Sequence, residues 1–145
     1  MTSSLNMPPL ALVSLEEASV RDFAVAELQG MGYEVHPFSA EYDPALQLHS
    51  HSYRVVVLSA AGAASQPLLA ELAALPLDRR RELYVVLVGD GVESRSPMAA
   101  FVQSVDLVLS PDELAFFRSL LERGIAWQER FYEPLKQVQQ AIRTG

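Results

Sequence analysis

The sequence predicts a doubly wound α/β domain in which five parallel strands alternate with helices. Two apolar runs, 55–58 and 84–88, contain no alternating polar residues, which is typical of strands covered on both faces. Between the apolar runs lie segments whose apolar residues recur at three- and four-residue steps, the spacing of a helix that faces a core. Because strand and helix patterns alternate five times, we expect right-handed crossovers with helices on both faces of one sheet.

The first elements follow from apolar runs and their stop signals. Residues 10–15 form a short apolar run that we assign to the first strand. A helix follows and stops at Gly30 and Gly32, and residues 34–38 form a second strand, where Pro37 suits a sheet edge. The helix has one apolar face, made of Val20, Phe23, Ala24, Leu28 and Met31.

The remainder of the chain continues the alternation. Pro67 suits the first turn of a helix, and Gly89-Asp90-Gly91 ends a buried strand as a plain turn, since no G-x-G-x-x-G spacing is present. The predicted elements, in order, are helix 44–50, strand 53–58, helix 67–75, strand 84–88, helix 97–103, strand 105–109 and a long helix from about residue 112.

Composition narrows the function classes. The 145 residues suit one domain, and a net charge of −7 argues against nucleic-acid binding. The absence of cysteine excludes disulfides and thiolate chemistry. No apolar run approaches the ~20 residues of a membrane span. Residues 1–9 lack the features of a signal peptide, and we expect them to form a flexible N-terminal tail. We therefore expect a cytoplasmic protein without membrane contact, in which Arg79, Arg80 and Arg81 form a solvated turn.

Two groups of residues are of the types that bind metals. They are Glu16, Glu17 and Asp90 after predicted strands, and His36, His49 and His51. Acidic residues after strands commonly solvate loop ends, and His49 and His51 fall where a helix end or loop is expected, whereas His36 lies elsewhere in the chain. We accordingly predict no metal site and no cofactor.

Three segments, taken in order, resemble the receiver domain of response regulators, the CheY-like family. They are LEEASVRDF at 15–23, LQGMGYEV at 28–35 and VDLVLSPDEL at 105–114. The resemblance covers residues 10–124. It implies a flavodoxin-like sheet with strand order 2-1-3-4-5 and a site at the carboxyl ends of the first and third strands.

The positions that carry receiver chemistry differ in this chain. By the resemblance, the phosphate-accepting aspartate is replaced by Ser59, the hydroxyl residue of the fourth strand by Gly89, and the conserved lysine of the family by Ser110. The magnesium-binding acidic pair falls on Leu15 and Glu16, unless Glu16 and Glu17 have shifted register. We predict a pseudo-receiver without phosphoryl transfer or other enzymatic activity. Its degenerate pocket comprises Glu16, Glu17, Ser59, Gly89, Asp90, Ser110 and Pro111.

The chain continues beyond the receiver-like part as a helical extension, 125–145. A stripe with nearly heptad spacing runs from Leu114 through Gly124 to Ile142, and Pro134 is expected to kink or restart the helix. The extension either folds back on its own domain or binds a second copy or another protein. The predicted helices already suffice to cover both faces of the sheet, so the additional aromatic residues of the extension favour the partner. The predicted interaction residues are Phe117, Leu121, Trp127, Phe131, Tyr132, Leu135 and Val138.

These observations predict a signal-transduction or scaffold domain that works by protein–protein contact, as a homodimer and without phosphorylation. In receivers the surface made by the fourth helix, fifth strand and fifth helix is a common output face, which by resemblance is 98–121 here. The alternative is a small-molecule sensor that uses the emptied pocket. An enzyme of flavodoxin-like architecture is a third class, for which no paired acid and base is evident.

Overall fold

The computed structural model describes residues 7–90 and 94–144, with the side chains of 135–137, 139–140 and 143–144 outside the description. Five parallel strands form one sheet in the order β2-β1-β3-β4-β5, so the predicted fold is confirmed. The strands are β1 (Leu10–Ser14), β2 (Glu34–Pro37), β3 (Tyr53–Ser59), β4 (Tyr84–Val88) and β5 (Leu107–Leu109).

Helices connect the strands on both sides of the sheet. The predicted helices at 44–50 and 97–103 have the expected bounds, whereas the helix expected from residue 67 begins two residues earlier. The helices are α1 (Ala18–Gly30), α2 (Pro44–Ser50), α3 (Ser65–Ala73), α4 (Leu77–Arg80), α5 (Pro97–Gln103), a 3-10 helix (Pro111–Phe116) and α6 (Phe117–Thr144).

Alternate residues of each strand supply two core layers. On one face, Leu12, Val56 and Leu87 pack with residues of α2, α3 and α5. On the other face, Val57 and Val86 pack with residues of α1 and α6. The period of two along each strand therefore divides the apolar runs between two helical layers.

Phe117 and Leu121 belong to the second core layer and are fully buried. The prediction that they form part of a partner surface is wrong, because their positions on α6 face the chain's own sheet. Burial of each such side chain stabilises the fold by about 1.5–3 kcal/mol. The first turns of α6 are thus an integral part of the domain.

The arginine triplet also differs from the predicted solvated turn, because Arg79 and Arg80 form the last turn of α4 and their guanidinium groups turn back onto the fold. Arg79 donates to the carbonyl of His51 at 3.2 Å. Arg80 donates to the carbonyl of Leu83 at 3.0 Å and to the carboxylate of Asp106 at 3.2 Å. The turn before β4 is therefore tied to α2 and β5 instead of lying free in solvent.

Helix α6 is continuous through Gly124 and Pro134, so Pro134 does not restart it. Gln128 is only 4% exposed; its amide donates to the Leu83 carbonyl at 2.9 Å and accepts from Arg54 at 2.7 Å. Gly124 lies against the buried ring of Tyr84, and a side-chain carbon there would overlap the Tyr84 hydroxyl. The half of α6 that ends near Tyr132 is therefore attached to the body by specific contacts.

Candidate functional site at the carboxyl edge of the sheet

The predicted pocket residues meet at the carboxyl edge of the sheet. A cavity of about 230 Å³ opens there between the loops that follow β1, β3 and β4. All members of the predicted set except Ser110 line it: Glu16, Glu17, Ser59, Gly89, Asp90 and Pro111. Parallel strands end at the same edge, which is why residues far apart in sequence come together here.

The hydroxyl of Ser59 is engaged with backbone groups. Its oxygen accepts from the N–H of Glu16 at 3.2 Å and donates to the carbonyl of Ser14 at 3.4 Å. None of the described residues that line the cavity is a histidine or lysine. A serine needs an adjacent base to become a nucleophile, so this arrangement holds the hydroxyl as a link between β1 and β3.

Glu16 bridges the loop after β1 and the loop after β3. Its carboxylate accepts from the N–H of Ala63 at 3.2 Å, and it lies directly against Gly62. Gly62 has a φ of +131°, and a side-chain carbon at this residue would overlap the Glu16 carboxylate. A residue that by resemblance belongs to a metal-binding pair thus makes a contact within the protein itself.

The space next to Gly89 is filled by a neighbouring residue. A side-chain carbon on Gly89 would collide with the methyl group of Ala60, whose N–H donates to the Val88 carbonyl at 2.7 Å. Replacement of a larger side chain by Gly89 therefore does not by itself leave an empty space in the pocket. The hydroxyl side chain is absent, but Ala60 occupies the room beside this position.

Ser110 lies at the start of the 3-10 helix, outside the cavity lining, where its N–H donates to the Ser94 hydroxyl at 3.0 Å. That hydroxyl donates to Glu113, and the Arg95 guanidinium binds the same carboxylate through two bonds of 2.8 and 2.9 Å. The Arg95 bonds, followed by the Ser94 bond, lower the pKa of the Glu113 carboxyl. We call this pair of bonds the Arg95–Glu113 clamp. The sequence does not predict it, because Arg95 and Glu113 lie far apart in the chain.

The two groups of candidate metal ligands do not form a metal centre. No cluster of three or more histidine and acidic side chains suited to a metal occurs in the ranges 7–90 and 94–144. Glu17 accepts from the Ser19 hydroxyl at 2.8 Å. His36 lies on β2, within the predicted second strand, and its ring nitrogens lie 2.8 Å from the Glu34 carboxylate and 2.9 Å from the Tyr53 hydroxyl.

An apolar surface, which we call the α5 face, lies beside the clamp. Met98 and Phe101 are 70% and 81% exposed, and Val102 and Phe116 are also exposed. The Arg95 guanidinium lies over the Phe116 ring at 5.4 Å. Residues 96–105 contain no charged side chain. Such a patch is unusual on an isolated domain and commonly marks an interaction site.

A second apolar surface, the α6 seam, runs along the distal part of the last helix. It consists of Trp127, Phe131, Val138 and Ile142, all exposed, with the rings of Trp127 and Phe131 stacked at 5.0 Å. Besides the buried Phe117 and Leu121, two further members of the predicted interaction set are not part of this exposed seam. Tyr132 is half-buried under the Arg81 guanidinium, and the side chain of Leu135 lies outside the described residues.

Comparison with solved structures identifies the fold as that of receiver domains. A candidate response regulator from Chloroflexus aurantiacus superposes with a TM-score of 0.65 at 18% identity, over 83% of this chain and 99% of that one. The CheY-like protein TadZ from Pseudomonas aeruginosa gives 0.59 at 18% identity, over 80% and 98%. A response regulator receiver protein from Burkholderia phymatum gives 0.59 at 15%, over 81% and 95%.

At these identities the likeness concerns the fold. No protein-family model matches the sequence, and no curated protein matches it either. Among the described residues, no helix is both long enough and apolar enough to cross a membrane. The structure therefore defines a receiver-fold domain, and its function has to be argued from its own residues.

Proposed function

We propose that this chain is a signalling or scaffold domain that acts through protein–protein contacts, as a homodimer, without accepting phosphate. The observation that carries the proposal is the state of the carboxyl-edge cavity. Ser59 stands at the acceptor position with its hydroxyl bound to backbone, and Glu16 is bound to the loop after β3. These contacts hold the loops together without a phosphoryl group or a metal ion.

The electrostatics of the cavity support the same conclusion. Its described lining contains three carboxylates, Glu16, Glu17 and Asp90, and no cationic side chain. A phosphoryl group in transfer develops negative charge that a cation or a set of oriented donors must stabilise. In this cavity, the nearby carboxylates would instead repel it.

The α6 seam supports self-association. The inner stripe of α6, which packs on the sheet through Phe117, Leu121 and Gln128, continues beyond Tyr132 as Val138 and Ile142. At a rise of about 1.5 Å per residue, the part of α6 beyond Tyr132 is roughly 18 Å long. Apolar residues at this spacing are buried when two such helices pair.

Charge favours a second copy as the occupant of the seam. If Phe131, Leu135, Val138 and Ile142 take the inner heptad positions, the flanking positions hold no charged residue. They are Trp127, Tyr132, Pro134, Gln139 and Ala141. Two chains that each carry a net charge of −7 can therefore approach along this line without like charges across the contact.

The α5 face is the surface that we propose contacts a different protein. It lies on the part of the fold that the receiver resemblance identifies as an output face, and four large apolar side chains are exposed there. The Arg95–Glu113 clamp fixes the turn that leads into α5. The face is thus presented in one arrangement, which suits a constitutive contact.

The small-molecule sensor is the weaker candidate. The carboxyl-edge cavity, at about 230 Å³, is smaller than the roughly 300–1,000 Å³ of typical ligand pockets. Ala60 and Glu16 occupy the room that a receiver's active-site side chains would leave. No observation favours a particular metabolite there.

Phosphorylation is tested by incubating the full chain with acetyl phosphate and Mg²⁺ and measuring its mass, with a phosphorylatable receiver domain treated in parallel. We expect no phosphate adduct on this chain while the control is modified. A stable adduct on any residue of the carboxyl-edge cavity would refute the phosphorylation-independent function.

Self-association is tested by sedimentation equilibrium of the wild type and three variants. We expect a dimer that Val138→Asp converts to monomer, because a carboxylate in an apolar seam loses its hydration. Leu46→Asp places the same charge at an exposed leucine of α2 and should leave the dimer intact. A monomeric wild type would contradict the proposal, and dissociation by Phe101→Asp alone would assign the dimer to the α5 face.

A further inference from the structure

A second cavity lies at the opposite, amino-terminal edge of the sheet. It measures about 290 Å³ and is enclosed by the starts of β1 and β3, the turn before β4, and α6. The body of the domain and α6 therefore form the two walls of this cavity. It shares no lining residue with the carboxyl-edge cavity, so whatever it binds is independent of the receiver-like site.

Three arginines line this cavity, and their bonding differs. Arg54 donates to Gln128 and to the Glu82 carbonyl, and Arg79 donates to the His51 carbonyl. Arg81 has its guanidinium over the Tyr132 ring at 5.5 Å, and its side chain makes no hydrogen bond or ion pair with any residue in the described ranges. Arg81 is therefore a half-buried cation whose donors are free.

The carboxylates of the cavity do not satisfy these cations fully. Glu129 approaches Arg54 at 3.4 Å and Glu82 approaches Arg79 at 3.7 Å, and both carboxyl side chains are more than half exposed. With three guanidinium groups against two carboxylates, the cavity carries a local excess of one positive charge. That excess occurs in a chain whose net charge is −7.

Guanidinium groups present planar pairs of N–H donors that match the oxygens of phosphate and carboxylate groups. A free guanidinium held by an aromatic ring at the wall of a small cleft is suited to such an anion. We propose that this cavity binds a small oxyanion with at least two negative charges, of which phosphate is the simplest, with Arg81 as its principal ligand. Because Tyr132 and Gln128 line the same cavity, the anion would contact α6 and the body together.

The test uses the full chain and two probes, inorganic phosphate and pyrophosphate, titrated calorimetrically at constant ionic strength with chloride as the balancing anion. We expect saturable binding by the wild type and a loss of about tenfold or more in affinity for Arg81→Ala, since a charge-assisted contact is removed. Arg130→Ala removes the same charge from an exposed position of α6 outside the cavity and should leave the affinity within about twofold. Tighter binding of pyrophosphate would indicate that two phosphate groups are accommodated.

Glu82→Gln gives a result that a purely structural role of these residues would not produce. It removes a competing carboxylate and should tighten phosphate binding about two- to threefold. Absence of saturable binding by the wild type overturns the proposal without any variant. Equal losses in Arg81→Ala and Arg130→Ala overturn it as well, because they would indicate a general charge effect.

Discussion

Gln128 is the residue on which the attachment of α6 most clearly depends, and its removal gives a sharp prediction. Its amide makes two bonds: it donates to the neutral carbonyl of Leu83 in a buried bond, and it accepts from the charged guanidinium of Arg54 in a partly buried one. A bond between neutral groups contributes about 0.5–1.5 kcal/mol, and one to a charged group about 1.5–3 kcal/mol. Because Arg54 is partly exposed and can regain water, we expect Gln128→Ala to lower the unfolding free energy by about 2–3 kcal/mol.

The assay is urea unfolding of the full chain followed by circular dichroism, with Tm as a second readout. For a domain of this size, the predicted loss lowers Tm by about 5–10 °C. Gln128→Leu keeps the side-chain volume and should lose nearly as much, which separates the hydrogen bonds from packing. Gln29→Ala, at an exposed position of α1, should stay within about 0.5 kcal/mol of the wild type. A loss below about 1 kcal/mol for Gln128→Ala would refute the attachment of α6 through this residue.

Three further substitutions test other contacts. Gly124→Ala should destabilise the fold by about 1–2 kcal/mol in urea unfolding, because the new methyl group meets the Tyr84 ring and this outweighs the gain in helix propensity. Burial raises the pKa of Tyr84 from its ordinary value of 10.0 to about 12. Ionisation of this tyrosine therefore leaves the free energy of unfolding unchanged below pH 10 and lowers it by about 2–3 kcal/mol as pH rises towards 12. Tyr84→Phe, measured by urea unfolding between pH 9 and 11, should show a smaller fall than the wild type. The pKa of Glu113 is lowered by Arg95, so its contribution is present above its ordinary pKa of 4.5 and is lost as pH falls below it; Glu113→Gln should flatten this part of the acid-unfolding profile.

The carboxyl-edge cavity shows which features of a site residue identities alone can predict. By the receiver resemblance, Ser59, Gly89 and Ser110 are predicted to replace the family's reactive side chains, and this prediction needs only the order of the segments. The Glu16 bridge to Ala63 and the filling of space by Ala60 are not readable in this way. They depend on the conformation of two loops, which packing of the whole edge decides.

Long side chains show the same limit. Arg80 and Arg95 look like solvated surface residues in sequence, yet each bonds to partners more than fifteen positions away. His36 on β2 is equally unpredictable from sequence, because its partner Tyr53 lies on β3, and β1 lies between these two strands in the sheet. A guanidinium or imidazole can reach several partners, and only the fold brings one of them within hydrogen-bond distance.

The sequence by itself determined the layering of the core and most element bounds, because apolar periodicity reports directly which face of a strand or helix is buried. The strand order followed from the resemblance to receiver domains and not from periodicity. That resemblance also predicts that the receiver's reactive side chains are replaced in this chain. Tertiary structure alone decided that Phe117 and Leu121 are core while Val138 and Ile142 are exposed, although all four share one helical stripe. The physical reason is the length of the helix, because the stripe continues past the edge of the sheet that buries its first half. A periodic apolar pattern in the sequence does not indicate at which residue that burial ends.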